Sequence, residues 1–366
     1  MMKKLCALII SVAIFYTTAY AQKRVVDAED KTPIVAASVF DKAGNLLELT
    51  DNNGVFTDIP ASAYPLTVSC LGYDQLVIER PENKTWDMKP MYYDLPEVVI
   101  DPSKRNVVKQ TFYIREYFSM TNNADTVTLF TEHMAERFIP TTKEAKFGGN
   151  YSLRIISTRQ YGRIKIQGRD SIISNPKKSV PSLLSLFDLD NDDVKAPESF
   201  TKQSGSSNIY EKSGKSGMSL IQKQNAQTFT VIEDMLADKK NHKMSPWALK
   251  AIGFTMDFNE YYTTYAYRAN KKGVYKPSDL KQASFVMEAD GKGKHIRKIF
   301  KTDNPVDIRS CIDLFVVDTE YLTKEDAKDD YKNKPSYIKF EIPSTVPPLN
   351  NATKQLVKRA KAESPK

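Results

Sequence analysis

Thr50-Asp51-Asn52-Asn53-Gly54-Val55-Phe56, followed by Cys70-Leu71-Gly72-Tyr73, is the stretch on which the reading of this chain turns. Asn-Gly supplies the positive φ of a tight turn, and glycine accepts backbone conformations that a β-carbon penalises. Short apolar runs lie on both sides: Val25-Val26, Val35 to Phe40, Leu46 to Thr50, Val55 to Ile59, Leu66 to Leu71, Gln75 to Ile78 and Val98 to Ile100. Gly44-Asn45 marks another turn, and helical periodicity is absent from the whole segment. Strands this short, at regular spacing between turn signals, predict a small antiparallel β-sandwich over residues 22–100. In that reading Asn53, Gly54, Gly72 and Tyr73 are structural turn residues, and Phe56, Val68 and Leu71 fill the interior.

The order of these elements carries a resemblance. Val26-Asp27, Thr32-Pro33-Ile34, Ala37-Ser38-Val39, Gly44, Thr50-Asp51 with Gly54-Val55-Phe56, Leu66-Thr67-Val68-Ser69, Leu71-Gly72-Tyr73 and the closing Leu95-Pro96-Glu97-Val98-Val99-Ile100 resemble the carboxypeptidase regulatory-like domain. Lys23-Arg24 stands where that family usually has a small residue. The resemblance implies a transthyretin-like or Ig-like sandwich of the kind found at the start of Bacteroidetes envelope proteins, TonB-dependent receptors among them. It implies a carrier or spacer rather than a peptidase, because none of the matched side chains is a nucleophile or a metal ligand.

Upstream, Lys3-Lys4, an apolar run from Leu5 to Tyr16 and Ala19-Tyr20-Ala21 read as a secretory signal over residues 1–21. The apolar run is too short to span a bilayer, and Cys6 lies too early to be a lipid-attachment site. The predicted location is the periplasm or the outer membrane. The net charge of +8 falls to +6 when Lys3 and Lys4 leave; Lys354, Lys358, Arg359, Lys361 and Lys366 against Glu363 hold a further +4, leaving +2 for residues 22–349. A body so nearly balanced argues against nucleic-acid binding. The cationic excess sits in residues 346–366, read as a basic, solvated tail able to touch anionic lipid or an acidic partner. Of the cysteines left after processing, Cys70 and Cys311 each lie in an apolar run and read as two separately buried thiols, a bridge between the domains being the alternative.

Downstream, Asp101 to Gln110 reads as a polar linker, and residues 111–345 as a second, antiparallel β-rich domain, a curved sheet or half-barrel with few helices. Its strand candidates are Thr111 to Met120, Thr126 to Glu136, Ser152 to Ser157, Arg163 to Gln167, Thr228 to Ile232, Phe254 to Phe258, Tyr261 to Tyr267, Ala283 to Glu288, His295 to Phe300, Ile312 to Thr319 and Ser336 to Ile342. Asp290-Gly291-Lys292-Gly293 reads as a hairpin turn. Pro181 to Phe187 is a helix candidate, Thr323 to Lys332 a polar helix or turn, and Asn191 to Gly217 a long surface loop. Lys165, Asp257, Glu288, Arg297, Lys298 and Asp313 interrupt these strands, which opposes an outer-membrane barrel.

Two motifs imitate metal sites. His133-Met134-Ala135-Glu136 with the distant His242 has the ligand spacing of zinc carboxypeptidases, with Glu320 as a nominal base. The pair falls in an alternating strand, where residues three apart face opposite ways, so convergence on zinc is not expected. Asp188-Leu189-Asp190-Asn191-Asp192-Asp193 begins like a calcium loop, but Asp193 and Ser199 replace the glycine and glutamate that such loops need, and Glu198 comes one residue early. With His133, His242 and His295 as the only histidines, no nucleophile elbow and no phosphate-binding loop, the expectation is an exported, non-catalytic envelope protein, without cofactor, that binds or scaffolds a protein or glycan partner. A zinc-dependent hydrolase using His133, Glu136 and His242, or a small outer-membrane barrel, is the alternative.

Overall fold

The computed structural model describes residues 23–91, 105–174, 184, 189, 194–195, 201–202, 209–213, 219–224, 227–236, 254–333, 340, 342–344 and 346–363. The leader, the segment around Val98 and the acidic run after Asp190 lie outside these residues, as do Trp247, His242, most of Pro181 to Phe187 and most of Ser336 to Ile342.

The leading body is built from β1 (Arg24–Asp27), β2 (Ser38–Phe40), β3 (Leu46–Leu49), β4 (Leu66–Ser69), β5 (Leu76–Ile78) and β6 (Thr85–Met88). Four of these form an antiparallel sheet in the order β3-β2-β4-β5, and β1 pairs with β6. Alternating side chains, Val39, Leu66, Val68 and Ile78 from the sheet with Val25, Trp86 and Met88 from the pair, fill a common core. Each such fully buried apolar side chain contributes about 1.5–3 kcal/mol. The β1–β6 pairing is parallel, not antiparallel as the sequence suggests; the chain between them is long enough for the crossover that parallel pairing requires.

The Asn53-Gly54 turn also differs from expectation. It does not fold residues 55–59 back on β3 as a hairpin. The Asp51 carboxylate accepts the N–H groups of Asn53 and Val55, each at 2.8 Å, and Gly54 has φ +71°. Its carbonyl then accepts Val25 N–H at 2.8 Å, and Phe56 N–H reaches Lys23 O at 3.1 Å. The turn therefore carries the chain from β3 to the side of β1. Thr50, fully buried, braces it by accepting Ala37 N–H (2.8 Å) and donating to Ile34 O (2.6 Å).

The second region is one antiparallel sheet. Its strands are β7 (Val107–Asn122), β8 (Asp125–Pro140), β9 (Arg154–Ile166), β10 (Arg169–Ser174), β12 (Thr201–Lys202), β13 (Ile209–Ser213), β14 (Ser219–Gln224), β15 (Thr228–Asp234), β16 (Phe254–Arg268), β18 (Leu280–Gly293) and β19 (Val306–Leu322), while β11 (Val194–Lys195) and β17 (Val274–Tyr275) form a separate pair. The order β10-β9-β8-β7-β19-β18-β16-β15-β14-β13-β12 is open among the described residues, with β10 and β12 each paired on one side. One face of this sheet receives the leading body.

Both faces of the central strands are buried, and every residue of β8 from Val127 to Pro140 is buried. On one face Phe112, Ile114, Leu129, Ala283, Phe285, Ile308 and Leu314 form the principal core, closed by α1 (Lys294–Phe300) through Ile296 and Phe300. On the other, Tyr117, Val286 and Cys311 meet Val35, Phe40, Leu46 and Leu49 of the leading body. The edge strand β3 is satisfied at this junction: Leu46 N–H donates to Tyr117 Oη and Leu46 O accepts from Arg309 Nη1, both at 3.1 Å, so an otherwise open sheet edge is covered. α2 (Lys324–Lys332), whose Thr323 cap accepts Asp326 N–H at 3.1 Å, covers Val107 and Phe138 on the same face through Ala327 and Tyr331.

Several boundaries move. Val107 to Gln110, read as linker, already belong to β7, with Val107 and Val108 buried. Residues 351–363 of the presumed solvated tail are α3 (Asn351–Glu363), an amphipathic helix that lays Leu356, Val357 and Ala360 on Phe130, Tyr161 and Ile172. His295 to Phe300 is helix, because Ile296 and Phe300, four apart, satisfy a helical period as well as an alternating one. Asp290 to Gly293 continue β18 instead of turning, and the loop expected over residues 191–217 contains β11, β12 and β13.

Candidate binding cavity

The structure separates the residues that imitate a zinc site. His133 lies on the core side of β8, where Nδ1 is 2.9 Å from Thr158 Oγ1 and Nε2 is 3.4 Å from Glu116 Oε2. Glu136 points to the other face, as its place three residues on requires, and is held by Arg154 and by Lys109 Nζ at 3.2 Å. Glu320 is half exposed and 3.5 Å from the same lysine. His242 and the acidic run lie outside the described residues, and among the described residues no group of three or more His, Cys, Asp or Glu side chains has the arrangement of a metal site. Glu136, Arg154, Lys109 and Asp330 form an ion-pair network that fastens α2 to the sheet. Burying such groups is tolerable only when each is paired.

The turn residues have structural roles. Gly72 has φ +83° and its carbonyl accepts Met91 N–H at 2.8 Å. Tyr73 Oη donates to Asp27 Oδ2 at 2.8 Å, and burial together with that carboxylate pushes the phenol well above its usual range. Trp86 is buried and stacks on Phe56 at 5.7 Å, so it is a core residue. Cys70 and Cys311 are free thiols, but they are not separate: both line a cavity of about 60 Å³ between the two bodies, together with Arg115 and Asp313. Burial, reinforced by Asp313, pushes the Cys311 thiol well up and keeps it protonated.

A larger cavity, of about 470 Å³, opens where three separate parts of the chain meet. The loop after β2 contributes Lys42 and Gly44, the sheet contributes Tyr117, Thr126, Phe130, Arg163 and Lys165, and α3 contributes Asn351, Gln355 and Arg359. Each is placed by a specific contact. Asp41 holds its loop by accepting the N–H groups of Ala43 and Asn45, each at 2.8 Å. Gly44, at φ +83°, lets α3 approach so closely that a β-carbon there would stand 2.7 Å from Ala352 Cβ. Asn350 caps the helix by accepting Thr353 N–H at 2.7 Å. Tyr117 and Phe130 are buried and form an aromatic floor. Arg163 makes a two-point pair with Asp170 through Nε (2.9 Å) and Nη2 (2.6 Å). That hydrogen bonding, with the charges of Arg163, Arg359 and Lys165, holds the Asp170 carboxyl below its usual range.

Among the described residues no carboxylate lines this cavity. Its contents are cations, amides, hydroxyls and two rings, a set suited to holding a polar molecule. Its walls are far apart in the chain, and Arg359 stands in a segment whose lysines alone suggest a solvated tail, so the sequence does not reveal it. The available signal was the spacing of Leu356 and Ala360, which puts an apolar stripe on an otherwise basic segment.

No family model and no curated protein matches the chain. Among solved structures it is similar to one titled "Lipid-protein interactions in lipovitellin", at 12% identity and a TM-score of 0.30, over 61% of this chain and 26% of that one. The chain thus spans about a quarter of that protein's length.

Proposed function

We propose that this is an exported, non-catalytic protein of the bacterial cell envelope that binds a glycan or protein partner, and that its leading body is a transthyretin-like, carboxypeptidase regulatory-like module. One observation supports this reading above the rest: the cavity lined by Lys42, Arg163, Lys165 and Arg359 takes its walls from the leading body, the sheet and the C-terminal helix together. A site assembled from both bodies gives the leading module a part in recognition rather than only a spacing role. The two-layer core around Val25, Phe56, Val68 and Trp86 supports the sandwich assignment, and the lysine-flanked apolar run before Ala19-Tyr20-Ala21 supports export.

The test is fractionation of a Bacteroidetes host expressing the full chain with a C-terminal peroxidase fusion, combined with N-terminal sequencing and proximity labelling. The expected result is a chain beginning near Gln22 in the envelope fraction, labelling envelope components. An unprocessed chain in the cytosol overturns the proposal.

A further inference from the structure

We propose that the exposed side of α3, together with Lys42 and Lys165 beside it, docks on an anionic lipid membrane. The contact requires neither the glycan nor the protein partner proposed above.

The packing of α3 decides which of its side chains face outward. Leu356, Val357 and Ala360 lie on Phe130, Tyr161 and Ile172, and Thr353, on the same stripe, is buried. Lys354, Lys358 and Lys361, four and three residues apart, share another stripe, and all three are exposed. Two more exposed lysines stand beside the helix. Lys165 is four residues from Tyr161 on β9 and therefore on the face that α3 covers; Lys42 is on the loop whose Gly44 meets Ala352. Both line the cavity along α3.

Among the described residues none of these five lysines makes an ion pair. Asp170, opposite Lys165 on β10, is engaged at two points by Arg163. Lys109, elsewhere on the sheet, shows the contrast, with Glu136, Glu320 and Asp330 all within 3.5 Å. The five ammonium groups, drawn from three segments, therefore present a cationic surface rather than an ion-pair network. Their identity favours lipid. An ammonium on a flexible stem is a hydrated point charge that can follow mobile headgroups, whereas the fixed carboxylates or phosphates of a folded partner favour the guanidinium fork. The apolar stripe of α3 is already covered by the sheet, so attachment is by charge without insertion. Each lysine at an anionic surface strengthens binding about fivefold.

The experiment is vesicle flotation of the processed chain with phosphatidylcholine alone and with phosphatidylcholine containing about a third phosphatidylglycerol. It is repeated on Lys354→Gln/Lys358→Gln/Lys361→Gln, and on Lys292→Gln/Lys294→Gln/Lys298→Gln, which removes the same charge from exposed positions at α1, on the opposite face of the sheet. An unchanged melting temperature certifies the fold of each variant. The expected result is binding to the anionic vesicles alone, released by about 0.5 M salt, which shortens the screening length to a few ångström. The α3 variant is expected to bind about a hundredfold more weakly, and the α1 variant to stay close to the parent. Should the α3 variant melt early, Lys42→Gln/Lys165→Gln replaces it, with an expected loss of about twentyfold. Absence of binding to anionic vesicles overturns the inference, as does equal binding to neutral ones. An equal loss in the α1 variant overturns it too, because net charge rather than this face would then be at work. Tighter binding to polyglutamate than to vesicles of the same anionic charge would make the partner an acidic polypeptide and overturn it likewise. Because the readout is purified protein on lipid, it is separate from the location test above: an envelope chain that ignores anionic vesicles refutes this inference alone.

Discussion

Glu260 on β16 and Glu288 on β18 stand directly opposite each other on neighbouring strands, on the face that receives the leading body. Like charges so placed repel. Burial is the main cause of their shifts; it and the Glu288, Glu48, Asp234 and Asp51 charges push Glu260 from 4.5 up to about 8. Burial also raises Glu288, to about 7, against the pull of Arg309. Between the unfolded and folded values the native state binds more protons than the unfolded chain, so stability falls as pH rises from 4.5 through about 8. Glu260→Gln should flatten this decline and be the more stable protein at the alkaline end by on the order of 1–3 kcal/mol, allowing for partial solvent screening. Urea midpoints across the window measure it; a variant that parallels the parent at every pH contradicts the assignment.

Arg154 serves two masters on the same face. Its guanidinium pairs with Glu136 and donates to the backbone carbonyls of Asp330 (3.0 Å) and Tyr331 (2.6 Å) in the last turn of α2. Arg154→Met leaves Glu136 and Asp330 with Lys109 alone and should cost about 3–5 kcal/mol. Arg154→Lys keeps the charge but loses the fork, so an ammonium is expected to recover less than half of that loss. Equilibrium unfolding of the two variants decides it, and full rescue by lysine would show that charge alone matters.

Gly54 and Gly72 make a controlled comparison. Both have positive φ, but a β-carbon on Gly54 would lie 2.3 Å from Val25 O, whereas on Gly72 its nearest neighbour is Gln282 Nε2 at 4.0 Å. Gly72→Ala should cost only the left-handed backbone penalty, about 1–2 kcal/mol. Gly54→Ala adds a backbone collision at the layer crossing and should cost about 3 kcal/mol or more. Thermal denaturation orders the two, and equal losses would contradict the close approach.

The docking of α3 predicts a local effect. Ala360 is fully buried against Phe130 and Tyr161, so Ala360→Glu forces a carboxylate into an apolar contact and should release the helix by several kcal/mol. Hydrogen exchange should speed up over residues 351–363 while the amides of β7 and β19 stay protected. Uniform acceleration across the sheet would instead make α3 part of the global folding unit.

The elements legible in the sequence were those whose pattern admits one period. Thr126 to Glu136 alternates over a full strand length and is legible as a strand, whereas the polar Thr323 to Lys332 reads equally as helix or turn until the Thr323 cap and the packing of Ala327 decide for helix. His295 to Phe300 fits two periods, and only packing of Ile296 and Phe300 on the sheet decides for helix. Arg154 to Ile166 is one strand where the sequence pattern suggests two, Ser152 to Ser157 and Arg163 to Gln167; Gly162 within it gives room to Leu129, whose Cδ2 would lie 2.7 Å from a β-carbon there. Thr85 to Met88 was overlooked as a strand because only Trp86 and Met88 of its four residues face the core. The opposite orientations of His133 and Glu136 follow from strand geometry alone. The cavity was illegible for the contrary reason, since Lys42, Lys165 and Arg359 become neighbours only through tertiary folding.

The middle of the large sheet joins segments made at very different times. β7 (Val107–Asn122) sits between β8, which follows it at once, and β19 (Val306–Leu322), which is among the last strands to be made. A ribosome or translocon releasing this chain from its N-terminus presents the β7–β8 hairpin early, with one margin of β7 lacking its partner until Val306 onward emerges. That margin is competent to recruit another chain during the wait, and late closure of so distant a pairing is slow. Interrupted production, by a stop codon or a stalled ribosome before β19, is therefore expected to yield aggregates rather than a smaller folded protein.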